Sequence, residues 1–136
     1  MDYNDKFGKS AGKVWNILNE KGPLNEKYLL DYSKLAKNDF FIAIGWLARE
    51  NKICKNDDIY SLDASNLDFF IGNNAGKVWN TLNQYGKIDI EKIGDLTNLK
   101  NPDVYSAIGW LARENKILGI KSKIKSRESH LKFYLK

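Results

Sequence analysis

Cysteine, histidine and proline are scarce in this chain of 136 residues, which contains one cysteine, one histidine and two prolines. A single cysteine excludes an internal disulfide, and neither Cys54 nor His130 has the partners that a metal site needs. We therefore interpret Cys54 as a buried apolar residue. His130 is interpreted as a surface residue or a phosphate contact. No metal site and no cofactor are predicted.

Long apolar runs and catalytic motifs are also lacking. No run approaches the roughly 18 residues of a membrane-spanning helix, and the first residues lack the basic and then apolar pattern of a signal peptide. The segment Gly8–Lys13 resembles a phosphate-binding loop, but its glycines are one residue too close and Val14 replaces the required Ser or Thr. We predict a cytoplasmic protein that is neither an enzyme nor membrane-bound.

What the sequence does contain is an internal repeat. Residues Ala11–Ile53 align without a gap on Ala75–Ile117 at an offset of 64, and 23 of these 43 positions are identical. The longest match is Ala-Ile-Gly-Trp-Leu-Ala-Arg-Glu-Asn-Lys-Ile. A repeat with a fixed offset indicates a repeated folding unit. We therefore divide the chain into copy one, residues 1–63, and copy two, residues 64–136.

The net charge of +5 comes entirely from the second half of the chain. Residues 1–66 contain 10 basic and 10 acidic residues, whereas residues 67–136 contain 12 basic and 7 acidic residues. Seven of the basic residues lie between Lys116 and Lys136, where Glu128 is the single acidic residue. A segment of this composition is typical of a surface that binds a polyanion, although a solvated basic tail has the same composition.

Each copy has the pattern of three helices and a hairpin. In copy one the first helix is predicted to begin at Ser10 and end at Gly22, the second begins at the cap residue Asn25, and the third runs to Asn51. Copy two repeats these signals 64 residues later. The hairpin strands of copy two are predicted at 117–120 and 130–135. This order predicts an α+β, mainly helical chain of two tandem winged helix-turn-helix units, each with three helices and a small β wing.

Two segments also carry a resemblance to known proteins. Residues 71–79, Ile-Gly-Asn-Asn-Ala-Gly-Lys-Val-Trp, and residues 107–114, Ala-Ile-Gly-Trp-Leu-Ala-Arg-Glu, resemble a small winged helix-turn-helix family of bacteria and archaea that has no assigned function. The resemblance extends over both copies. It implies the fold and lends neither catalytic residues nor a ligand.

The third helix of copy one is apolar on every side. Its core positions should be Phe40, Ala43, Ile44 and Leu47, with their counterparts in copy two. The residues that remain outward are also apolar, and a helix of this kind is normally buried. We predict an interface with copy two or with a second chain, formed by Phe41, Ile42, Gly45 and Trp46. The alternative for Trp46 is that it folds back into the core of its own copy.

Copy two has the more suitable surface for nucleic acid. In a winged helix-turn-helix the third helix enters the major groove and the wing contacts phosphate or the minor groove. The nucleic-acid-binding residues predicted on this basis are Lys100, Asn101, Tyr105, Ser106, Lys121, Lys123, Lys125 and Arg127. The outward face of this third helix, which would contact the base edges, contains no arginine or glutamine, so binding should tolerate many DNA sequences.

Two functions stay open on this evidence. In the first, copy two contacts double-stranded DNA through its third helix and basic wing while copy one mainly supplies an interface, as in a transcription regulator. In the second, the chain is an adaptor that binds another protein without nucleic acid. The copies should be docked, because the linker 63–74 contains Leu67, Phe69 and Phe70 and is too apolar for a free tether. Either function is compatible with a homodimer.

Overall fold

A computed structural model of the chain describes residues 3–121 and 131–136. Each copy folds as a helix, a short strand, two helices and two wing strands. In copy one these are α1 (Tyr3–Lys21), β1 (Leu24–Asn25), α2 (Glu26–Ser33), α3 (Lys37–Arg49), β2 (Ile53–Asn56) and β3 (Ile59–Leu62). In copy two they are α4 (Asp68–Tyr85), β4 (Ile88–Asp89), α5 (Ile90–Thr97), α6 (Asn101–Arg113), β5 (Ile117–Lys121) and β6 (Leu131–Leu135).

The strands of each copy form a small antiparallel sheet. The strand orders are β1-β3-β2 and β4-β6-β5, so the short strand before the second helix pairs with the last strand of the wing. Ile53 lies opposite Leu62 in copy one, and Ile117 lies opposite Leu135 in copy two. These elements confirm the predicted fold class of two tandem winged helix-turn-helix units.

Polar residues fix the helix ends where the sequence predicts them. The side chains of Asn25 and Asp89 accept hydrogen bonds of 2.8 Å from the backbone N–H groups of Tyr28 and Lys92. They thereby satisfy a donor that the first turn of the helix would otherwise leave free. Asn51 and the equivalent residue 115 follow the third helices with a φ of 61°. This left-handed conformation confirms the predicted helix stops.

The first helix of each copy is longer than predicted. Helices α1 and α4 begin at Tyr3 and Asp68, so that Ser10 and Asn74 are buried inside them instead of capping them. The added turns bury large apolar side chains, which outweighs the local preference of Ser or Asn for a cap position. Most of the predicted linker is therefore the beginning of α4.

Each copy completes the core of the other. The core of copy one contains Ile71 from α4, and the core of copy two contains Phe7 from α1 and Ile42 from α3. All three side chains are at most 3% exposed. The predicted core positions of the third helices are also buried, among them Phe40 and Val104. The two copies are therefore docked against each other. The boundary at residue 63 remains a prediction about how the sequence divides into two copies.

Candidate nucleic-acid interface

The third helices of the two copies, α3 and α6, pack directly against each other. A Cβ atom added to Gly45 would lie 1.8 Å from the carbonyl oxygen of Ser106, and one added to Gly109 would lie 1.9 Å from the carbonyl oxygen of Ile42. No side chain can be accommodated at such distances, so glycine at both positions allows the two backbones to touch. The helices that usually read DNA are therefore placed against each other.

The predicted interface residues of copy one lie on or beside this contact. Ile42 and Gly45 are buried, whereas Phe41 and Trp46 are half-buried. The Trp46 side chain packs against the cores of both copies. Trp46 therefore contacts the core of its own copy as well as that of the other copy, so the two interpretations do not exclude each other.

Charged residues connect the C-terminal ends of α3 and α6 reciprocally. Arg49 Nε lies 3.2 Å from Glu114 Oε2, and Arg113 Nε lies 3.1 Å from Glu50 Oε2. Each guanidinium also covers a tryptophan of the other copy, with Arg49 5.6 Å from the ring centroid of Trp110. Such cation–π contacts add to the ion pairs. The matching contacts give the helix pair an approximate twofold symmetry.

Two residues of the predicted reading face do not reach the surface as expected. Ser106 is 5% exposed, and its hydroxyl donates a hydrogen bond of 3.2 Å to the carbonyl oxygen of Asp103. Tyr105 is half-buried and packs against the core of copy two. The prediction assigned the packing surface to α3 and left this face of α6 free for DNA, whereas α3 covers it. Ser106 is therefore an interface residue and cannot contact a base edge in this arrangement.

The N-terminus of α6 is partly shielded by the wing of copy one. Lys100 and Asn101 are exposed, but Asp103 lines a cavity of about 290 Å³ together with Lys55 and Tyr60 from the other copy. Burial raises the pKa of Asp103, and the positive charges of Lys100 and Lys55 oppose that shift. Lys100 and Asn101 are thus accessible beside a surface that includes a carboxylate.

Polar groups in the wing of copy one form contacts within the same copy. The Tyr60 hydroxyl donates a hydrogen bond of 3.0 Å to Glu26 Oε1, and Lys55 Nζ lies 3.7 Å from the same oxygen. Burial, followed by the charge of Glu26, raises the pKa of Tyr60. With Asp57 and Asp58 at the hairpin turn, this wing offers no excess of positive charge to a phosphate backbone.

The wing of copy two has the opposite electrostatic character. Lys121 is exposed at the end of β5, Lys132 lies opposite Ile120 on β6, and Lys87 lies 4.9 Å from the ring centroid of Tyr134 at the edge of the same sheet. The remaining predicted contacts of this wing lie outside the described residues: Lys123, Lys125 and Arg127. The described part of the wing of copy two is therefore basic, whereas the wing of copy one carries no excess of positive charge.

Comparison with protein families identifies the repeated unit. The family model Winged helix-turn-helix domain (DUF2582) matches the chain twice, over residues 1–67 and 62–135. The chain belongs to this family. The double match confirms both the resemblance and the tandem duplication. No curated protein and no solved structure matches the chain.

The winged helix-turn-helix family supports a DNA-binding role in general, and its domains are typically binding or regulatory modules. Among residues 3–121 and 131–136, no helix is long and apolar enough to cross a membrane. The same ranges hold no group of three or more potential metal-ligating side chains.

Proposed function

We propose that this protein is a non-catalytic module that binds double-stranded DNA with little sequence preference through the wing of copy two. The observation that carries the proposal is the combination of a basic wing with third helices that cover each other. The basic residues can neutralise phosphates, which supplies most of the affinity of sequence-independent binding. Base reading requires side chains in the major groove, and the middle parts of α3 and α6 are not free to provide them.

Lys100 and Asn101 are proposed as an auxiliary contact to the phosphate backbone. Both are exposed at the beginning of α6, where a lysine and an amide can position a duplex without reading it. The neighbouring Asp103 should limit their contribution, because a carboxylate repels phosphate. We therefore assign the main contact to Lys121, Lys123, Lys125 and Arg127.

The experiment is fluorescence anisotropy of a labelled random duplex, titrated with the protein at several salt concentrations. We expect micromolar binding at low salt, with a log–log salt slope of roughly −3 to −4 if four phosphates are neutralised. Replacing Lys121, Lys123, Lys125 and Arg127 with glutamine should remove most of the affinity and reduce the slope towards zero.

A matched control separates the location of charge from net charge. Lys6, Lys27, Lys34 and Lys37 are exposed outside this wing, and their replacement with glutamine lowers the net charge equally. This control should retain nearly all of the affinity. Equal losses in the two variants would show that only overall charge matters and would contradict a site in the wing.

A protein-binding adaptor is the second candidate, and one exposed patch favours it. Phe69 and Phe70 at the beginning of α4 are 80% and 53% exposed. Exposed aromatic residues of this kind often mark an interaction surface. An adaptor should not need the charge of the basic wing. This candidate would be favoured if the glutamine variant functions fully in the host organism and a variant with Phe69 and Phe70 changed to serine does not.

A further inference from the structure

Two grooves on the surface are built from the same residues in both copies. The first lies between α1 and the C-terminal half of α3, has a volume of about 360 Å³, and is lined in part by Gly12, Trp15, Asn16, Trp46, Glu50 and Lys52. The second, of about 350 Å³, has the same residue types at positions 64 higher. All nine lining residues of one groove are identical in the other, although only 23 of the 43 aligned positions match.

This identity includes exposed positions, which the core does not explain. Gly12 and Asn16 are exposed, as are Gly76 and Asn80 in copy two. Most exposed positions between residues 17 and 41 differ between the copies, and Tyr28, for example, is aligned with a lysine, although the exposed residues Asn19 and Asp31 are also identical in copy two. The copies have thus diverged over much of their surface while keeping the grooves. We infer that the grooves serve the same purpose in both copies.

Gly12 and Gly76 indicate that a binding partner approaches the helix backbone in these grooves. Gly45 and its counterpart Gly109 are required by the crossing of α3 and α6, and a Cβ on Gly8 would come within 3.2 Å of Trp46. For Gly12 and Gly76, however, a Cβ would meet nothing within 4 Å. Glycine weakens a helix interior relative to alanine. Its presence in both copies leaves a bare, exposed helix backbone in the lining of each groove.

The chemistry of the first groove favours a peptide over a sugar. Trp15 and the half-buried Trp46, whose ring Arg113 also covers at 5.9 Å, supply apolar surface, and the Asn16 amide can donate to a carbonyl oxygen. Glu50 Oε2 already accepts from Arg113 at 3.1 Å and lies 3.7 Å from Lys52 Nζ, so this oxygen is less available to sugar hydroxyls.

We propose that each groove binds an extended, proline-containing peptide segment that has acidic residues at its ends. Polyproline-type segments dock in aromatic grooves and have no internal hydrogen bonds, so their carbonyl oxygens can use external donors. The rim of the first groove has a net positive charge that complements acidic ends. Glu50 lies 3.7 Å from Lys52 Nζ and 3.1 Å from Arg113 Nε, and Lys13 is exposed beside them. Lys77 and Lys116 occupy the equivalent positions in copy two. This proposal does not depend on DNA binding by the wing.

Tryptophan fluorescence gives a direct assay, because all four tryptophans of the chain line the two grooves. The probe is a capped polyproline peptide flanked by aspartates. Its titration should give a saturable change in fluorescence, with two peptides bound per chain. A peptide of equal length with glycine and serine in place of proline should bind at least about tenfold more weakly.

Leucine at the bare backbone should block each groove without harming the helix. Gly12→Leu should reduce the stoichiometry to one peptide per chain, and the double variant with Gly76→Leu should abolish binding. Glu20→Leu with Gln84→Leu is the control, since both residues are exposed on the same helices but do not line the grooves. Circular dichroism verifies that all variants are folded.

Three results would overturn the proposal. The first is an absence of any fluorescence change up to the solubility limit of the peptide. The second is equal binding of the proline peptide and the glycine–serine peptide. The third is a fluorescence change with single-stranded oligothymidine, and none with the peptide, that the leucine variants abolish; the grooves would then be stacking surfaces for nucleic acid.

Discussion

The contact between α3 and α6 predicts that two glycines in this chain respond oppositely to the same substitution. In Gly45→Ala the new methyl carbon would lie 1.8 Å from a backbone carbonyl oxygen, and no side-chain rotation can relieve that overlap. The helices must separate instead. Overpacking of this kind costs typically about 1–3 kcal/mol and occasionally more. The better helix propensity of alanine returns up to about 1 kcal/mol.

The matched control is Gly12→Ala, because its methyl group would meet nothing within 4 Å. Only the gain in helix propensity applies there, so the variant should be more stable than the parent by up to about 1 kcal/mol. Urea unfolding followed by circular dichroism measures both free energies. We expect Gly45→Ala to be less stable than the parent by about 1–2 kcal/mol. If it is as stable as Gly12→Ala, the helices do not cross at Gly45.

Two further predictions concern buried and paired polar groups. Because the native pKa of Tyr60 is raised above the unfolded value of about 10, the unfolded chain loses this proton first; the stability contribution is complete below about pH 10 and is lost as the pH rises further. Urea midpoints between about pH 8 and 11 should therefore fall less steeply for Tyr60→Phe than for the parent, and parallel curves would contradict the assignment. For the pair Arg49 and Glu114, whose side chains are 45% and 17% exposed, a double-mutant cycle with alanine should give a coupling of about 0.2–1 kcal/mol that decreases with salt. A coupling of zero at low salt would contradict a stabilising contribution from this pair.

Local sequence signals were sufficient for most of the fold. The caps at Asn25 and Asp89 and the stops at Asn51 and Asn115 depend on interactions within a few residues, so the sequence could predict them. The beginning of α1 could not be predicted in this way. Its first turns are stabilised by Phe7 in the core of the other copy, and a tertiary contact of this kind has no local signature.

The candidate site was predicted less completely than the fold, because a surface is defined only after the copies are docked. The apolar third helix of copy one correctly indicated burial, but the sequence did not show that its partner would be the third helix of copy two. Ser106 was consequently placed on a DNA-reading face that α3 covers. The signal for this contact lies in Gly45, a predicted interface residue, together with its counterpart Gly109, since a glycine at the same position of both third helices allows two backbones to approach.

The most direct test of the account is a titration of the ¹⁵N-labelled protein with a short duplex, followed by NMR. We predict shifts of the amide signals of β5 and β6 around the basic wing of copy two. The amides in the middle of α3 and α6 should stay unchanged, because the helices remain packed against each other. Large shifts at Ile42, Gly45, Ser106 and Gly109 on addition of DNA would mean that the helices separate to read it, and would contradict the account.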